Sequence, residues 1–261
     1  EEEVSKTTYT ILKNGESLVL DGKAAPAFKA YSTGEKIALR FYHTSGIELD
    51  EIYSELFSSV EVSTVGEDTI LEFYKKQGVD TVGYDGKGRT TVFFNRKADL
   101  GSSDQPLSQM TIVVDPGHGG LDSGALGVLN GNGPMEKDIT MAHALVLKNR
   151  LESLGAQVVL AVSPQQDSSS KVEMTDRVAL AKEQRADFYV SLHCNSIDAN
   201  ANGLKPSGTE IYYYENNSKL LADSILEKIS AYNERDARSV IYGNFYVTRN
   251  SLCPSMLIEM G

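Results

Sequence analysis

The sequence predicts an α/β domain, a mostly parallel twisted sheet with helices on both faces, preceded by a small β-rich domain. Three observations predict it. From Thr111 onward, short apolar runs alternate with amphipathic stretches, the texture of strands joined by crossover helices. Before Lys97 the runs are short, rich in β-branched and aromatic residues, and broken by glycine-containing turn pairs. Between the two, "DLGSSDQPLSQ" is Ser, Asp, Gly and Pro with little apolar content, which reads as a linker. The expected boundaries are therefore 1–98 for the β-rich domain, 99–109 for the linker and 110–261 for the α/β domain.

In the first domain "YTILK", "ESLVL", "KIALRFY", "TILEFY" and "TTVFF" read as strands. Asn14-Gly15, Asp21-Gly22 and Asp85-Gly86 read as the hairpin-type turns between them. One stretch, "IELDEIYSELF", places Ile47, Ile52, Leu56 and Phe57 near one helical face and predicts a single helix. In the second domain strand "TIVVD" leads through a long loop to a helix from about Asp138 to Leu154. Ala144, Leu147, Leu151 and Leu154 recur there at helical spacing before a stop at Gly155. Strand "QVVLAV", helix "VEMTDRVALAKEQR", strands "DFYVSLH" and "TEIYYY", helix "SKLLADSILEKISAY" and strand "SMLIEM" follow.

Bulk properties bound the function. With 261 residues and 41% hydrophobic content the chain can build a real core. The net charge of −11 is spread along the chain with no Lys/Arg run, which disfavours nucleic acid as a partner. No stretch approaches ~18 consecutive apolar residues, so no membrane span is expected. The sequence opens on Glu1-Glu2-Glu3, so either the protein is intracellular or a leader has been removed. Two cysteines, Cys194 and Cys253, form no disulfide framework and no CxxC pair, and they leave the compartment open.

The chemistry is expected where open α/β sheets collect it, at the carboxyl ends of the strands. The turn "DPGHGG" sets His118 just past strand "TIVVD", His193 closes "DFYVSLH", and Glu259 closes "SMLIEM". Glu136 in "PMEKD" stands immediately before the first helix, at the same edge. Two neutral imidazoles and one carboxylate form the ligand set of hydrolytic zinc sites, which leave a position for water. The remaining carboxylate would serve as the general base. The residues alone leave open which glutamate takes which role, and they narrow the reaction no further than metal-assisted hydrolysis.

Each residue also has an ordinary reading. His118 could be a turn residue satisfied by backbone groups, and Glu136 an acid favoured by the helix dipole. Glu259 without a role would be a costly buried charge. His143 lies on the first helix away from the strand-end edge and reads as packing or surface; His43 is no candidate. Cys194 follows His193 on a strand, so its side chain points to the opposite face and reads as a buried thiol rather than a fourth ligand.

The segments "DPGHGGLDSGALG", "EKD", "DRVALAKEQRADFYVSLHCNS", "GTEIYYY" and "FYVTRNSLCPSMLIEMG" resemble, in this order, the motifs of the zinc-dependent N-acetylmuramoyl-L-alanine amidases of the type 3 family. The resemblance runs from Thr111 to Gly261. It implies one Zn2+ ion bound by His118, Glu136 and His193, with Glu259 as the catalytic carboxylate. It implies peptidoglycan as the partner, cut at the amide between the lactyl group of N-acetylmuramic acid and the L-alanine of the stem peptide, hence an extracytoplasmic location. Arg249 in "FYVTR" is expected to hold a stem-peptide carboxylate. Val162-Ser163 stands where the family often has Thr-Arg, and Cys194 where it often has Ala; neither touches the metal set. Family members usually continue past the position of Gly261 into a loop and a last helix, so a further carboxyl-terminal tail is expected. By position, the first domain resembles a cell-wall-targeting module. The competing readings are a zinc peptidase acting within the stem peptide and a catalytically inactive wall-binding protein. No sequence feature bears on a protein activator.

Overall fold

The computed structural model describes residues 2–12, 14–49, 52–76, 79–85, 89–97, 100–127, 133–166, 169–196, 208–233 and 237–261. The chain divides into two compact units, Glu1–Ala98 and Asp99–Gly261.

The first unit is built from β1 (Glu2–Leu12), β2 (Gly15–Gly22), β3 (Phe28–Ser32), β4 (Lys36–Phe41), β5 (Thr44–Ser45), β6 (Phe57–Val65), β7 (Asp68–Lys75), β8 (Val79–Asp85) and β9 (Thr90–Arg96). These form a five-stranded sheet, ordered β5-β1-β2-β9-β8, and a four-stranded sheet, ordered β3-β4-β7-β6. Alternation decides which side chains are buried: Ile37, Leu39 and Phe41 of β4 point inward while their neighbours do not. They share one core with Leu71 and Phe73 of β7, Leu18 and Leu20 of β2, and Val92 and Phe94 of β9. The β-rich reading therefore matches the observed elements of this unit.

Two details differ from expectation. No helix forms over the described part of 47–57; residues 52–56 run as an irregular loop and Phe57 opens β6. The reason is a buried acid. Glu16 is 1% exposed, and its carboxylate accepts the backbone N–H of Glu55 (2.7 Å) and of Leu56 (3.1 Å). Those donors are taken by the neighbouring sheet, while Ile47, Leu56 and Phe57 still reach the core as their apolar character demands. Asp21-Gly22 is also not a turn: both residues remain in β2, paired with Lys6 and Val4 of β1. The Asp85-Gly86 turn lies partly outside the described residues.

The second unit comprises β10 (Thr111–Pro116), α1 (Glu136–Ser153), β11 (Gln157–Leu160), α2 (Met174–Glu183), β12 (Phe188–His193), β13 (Thr209–Tyr213), α3 (Asn216–Asn233), β14 (Ala237–Tyr242), α4 (Tyr246–Asn250) and β15 (Ser255–Glu259). Its six-stranded sheet runs β11-β10-β12-β15-β13-β14. Every pairing is parallel except that of β13 with β15. All six residues of β10 are buried, as expected for a strand covered on both faces. Ile112 and Val114 pack with Ala144 of α1 and with Ala222 and Leu226 of α3 on one face. Val113 packs with Val178 and Ala181 of α2 and with Val247 of α4 on the other. β14 and α4 were not expected from the sequence. Gly155 ends the α1 region at φ +98°, a conformation that glycine adopts without strain.

Residues 100–110 are ordered against this second unit. The Leu107 N–H donates to the Leu154 carbonyl at 2.9 Å, and Leu107 and Met110 pack against the core beneath α1.

Candidate metal centre

Parallel topology brings the ends of β10, β12 and β15 together at one edge, because the register aligns Pro116 with Leu192 and His193 with Glu259. Beyond β10 the chain turns sharply, and His118 takes φ +66°. Glu136 is the first residue of α1, two residues earlier than the expected start at Asp138, and it is 5% exposed. The tight approach of these segments explains two glycines. A Cβ at Gly117 would lie 2.5 Å from Cε1 of His193, and one at Gly124 would lie 2.5 Å from Cδ2 of His118 and 2.6 Å from Oε2 of Glu136.

His118, Glu136 and His193 each offer one ligand atom within 4.8 Å of the others, a cluster able to hold a metal ion. Nε2 of His118 stands 3.1 Å from Oε2 of Glu136, and Nδ1 of His193 stands 3.1 Å from Oε1. The Glu136 oxygens also accept the N–H of Ala125 at 2.8 Å and of Cys194 at 2.9 Å. Burial pushes this carboxyl up, but the bonds from the two histidines and the two amides outweigh it and hold Glu136 well below the usual carboxylate range. On the far side of His118, Nδ1 faces Oδ1 of Asp122 at 3.1 Å, so the ring presents Nε2 to the cluster. The bond to Glu136 raises the His118 pKa against the opposing effect of burial, with Asp122 adding to the rise.

Glu259 lines the same cleft, a cavity of about 570 Å³ that also includes His118, Glu136, His193, Asn195 and Leu126. Burial raises its pKa; His193 opposes this, while the carboxylates of Glu136 and Glu210 add to it. Its Oε2 is buried without a hydrogen-bond partner among the described residues. An acid with raised affinity for protons and an oxygen without a partner among the described residues, set beside a cluster able to hold a metal ion, is suited to carrying a proton.

The other residues fall outside the cluster. Cys194 lines the cleft, and burial pushes its thiol up to about 11. His143 is exposed on α1, with Nδ1 2.9 Å from the Ile139 carbonyl oxygen. His43 contacts Glu67 at 2.6 Å in the first unit. Arg249 donates to Oδ1 of Asn244 at 2.7 Å, lies over the Tyr246 ring, and is absent from the described cleft lining.

Sequence reasoning passed over Arg177 and Asp115. Asp115 is 1% exposed and Arg177 is 5% exposed, and they pair at 2.5 Å beneath the His118 turn. A signal for Arg177 existed: it shares a helical face with Val178 and Ala181, both buried.

The profile of the Amidase_3 family, N-acetylmuramoyl-L-alanine amidase, matches residues 112–261. The chain belongs to this family. The amidase match starts at the first strand of the six-stranded sheet and takes in His118, Glu136, His193 and Glu259, while the unit Glu1–Ala98 lies outside it. Over 164 residues the amidase chain is 35% identical to the uncharacterized protein YqiI of Bacillus subtilis, covering 63% of this chain and 75% of that protein. It is 36% identical over 158 residues to the N-acetylmuramoyl-L-alanine amidase LytC of B. subtilis, covering 59% of this chain but only 29% of LytC. Among solved structures, an N-acetylmuramoyl-L-alanine amidase from Clostridium difficile 630 superposes with a TM-score of 0.51 at 33% identity, over 57% of this chain and 78% of that one. No described helix of the amidase is long and apolar enough to cross a membrane.

Proposed function

We propose that the chain is a peptidoglycan hydrolase acting outside the cytoplasm, which cuts the amide between the lactyl group of N-acetylmuramic acid and the L-alanine of the stem peptide. One zinc ion is held by His118, Glu136 and His193, and Glu259 carries the proton. The observation that carries this reading is the convergence, in one cleft, of two imidazoles and a carboxylate with a second carboxylate whose buried Oε2 has no partner. The donor set suits zinc, which takes imidazole and carboxylate readily.

A bound zinc ion supplies Lewis-acid polarisation and acidifies the attacking water. The chain's own residues do the rest. The backbone N–H groups of Ala125 and Cys194 favour the anionic form of Glu136, so it would offset the positive charge of an ion at the cluster. Asp122 holds His118 with Nε2 turned inward. Glu259 takes the proton of the attacking water and passes it to the departing amine, acting as base and then as acid.

Mass spectrometry of digested muropeptides tests the assignment. Release of peptides beginning at L-alanine is expected; cleavage between amino acids of the stem would make the enzyme a peptidase, and no turnover with zinc bound would make it a binding protein. Arg249 is proposed to hold a stem-peptide carboxylate, so in the same assay Arg249→Ala should raise KM several-fold with kcat little changed. The first unit, with a core of its own, is proposed as a wall-targeting module.

A further inference from the structure

His118 is held in place from outside the cleft. Its left-handed backbone conformation, φ +66°, persists only where the surroundings over-determine it. Arg177, in the first half of α2, is the group that does so. Its Nη1 donates to Oδ1 of Asp115 at 2.5 Å and to the Pro116 carbonyl at 2.8 Å, and its Nη2 donates to the His118 carbonyl. One guanidinium therefore ties down three of the four consecutive residues 115–118. The other oxygen of Asp115 accepts the hydroxyls of Tyr189 at 2.6 Å and Ser191 at 2.8 Å, both on β12, the strand that ends in His193. The network thus spans the two strands that deliver the two imidazoles.

Stability alone does not call for this arrangement, because well-packed apolar residues often serve as well as a buried ion pair. A planar fork with fixed donor directions does something they cannot: it sets the position of several acceptors at once. We propose that Arg177 is a positioning residue for the metal centre, a clamp that fixes the His118 carbonyl and thereby aims the imidazole at Glu136 and His193. It contacts neither substrate nor ion. The proposal rests on the reading of His118 as a metal ligand.

The test is zinc affinity of the full chain, measured by competition with a chromophoric chelator, together with the absorption bands of the Co2+-substituted protein. Arg177→Lys keeps the charge and loses the fork. It should bind zinc about 10–100-fold more weakly, the usual scale for losing an outer partner of a metal ligand. Its Co2+ bands should shift, and KM at saturating zinc should stay unchanged. In Arg177→Ala, added methylguanidinium should restore affinity. Wild-type affinity and an unshifted Co2+ spectrum in folded Arg177→Lys would overturn the proposal while leaving the site assignment intact. A wild-type chain whose zinc binding does not depend on His118 would remove both. If neither Arg177 variant folds, Tyr189→Phe decides, since it keeps the core-filling ring and deletes only the hydroxyl given to Asp115. A several-fold loss of affinity is expected there, and no loss would overturn the clamp.

Discussion

Two acids, one in each unit, are treated in opposite ways. In the first unit Glu16 sits beneath the surface with both oxygens engaged, by the hydroxyls of Tyr9 and Ser54 and the backbone N–H groups of Glu55 and Leu56. In the second, Glu259 stands at a cleft with Oε2 buried and unpartnered. The difference separates structure from chemistry. A buried carboxylate whose acceptor capacity is filled organises the chain around it, whereas one left with spare capacity beside a cluster able to hold a metal ion keeps room for a proton.

That contrast can be broken by experiment. The largest effect is expected at the cleft: Glu259→Gln should lower kcat by about 10²–10⁴-fold, the range for a general acid–base group, while zinc content stays at the wild-type level. His193→Ala should abolish activity by a different route, with loss of zinc itself, measurable by metal analysis of the dialysed protein. If Glu259→Gln retained turnover with zinc bound, the unpartnered oxygen would have no catalytic meaning. Next in size, Glu16→Ala should cost about 1–3 kcal/mol of stability, because it strands buried donors. This should be visible as a lower midpoint in thermal or urea unfolding, with cleavage of soluble muropeptides unaltered. A loss of catalysis there would show that the two acids are not separable as the contrast supposes.

The smallest effect concerns the units themselves. A fragment of residues 100–261 should fold on its own core and cleave soluble muropeptides as fast as the whole chain. On intact sacculi it should be several-fold slower, because a linked second binding module raises local concentration at the wall. Equal rates on sacculi would refute targeting, and faster cleavage of both substrates would make the first unit an inhibitor. The fragment should begin before Leu107, whose N–H is bonded to Leu154 and whose side chain joins the second core.

Much of the fold was legible because apolar patterning reports burial directly. β10 reads as a run of apolar residues since both its faces are covered, and β4 alternates since one face is. The stretch from Ile47 to Phe57 was misread because helical spacing of apolar residues records only that they are buried. What the backbone donors bond to is a separate matter, and here a distant glutamate took them. α4, five residues with two apolar ones, is too short a run to announce itself, whereas β14 was passed over although Ala237, Val240, Ile241 and Tyr242 are apolar.

The sequence by itself pointed to the parts of the proposed centre: His118, Glu136, His193 and Glu259 can be named from strand ends, helix start and motif order, and the fold brings all four to one cleft. Only the tertiary structure decided how they are held. In "TDRVALAKEQR" the sharing of a helical face with Val178 and Ala181 hints that Arg177 is buried but not what it grips. Its burial, and its grip on Asp115, Pro116 and His118, exist because α2 packs on the face of the sheet where Asp115, Tyr189 and Ser191 point. Hydrogen bonds between chain-distant groups leave no periodic trace, since neither partner's spacing along the chain depends on the other. The residues of the proposed site are therefore readable one by one, and their alignment is a property of the folded sheet.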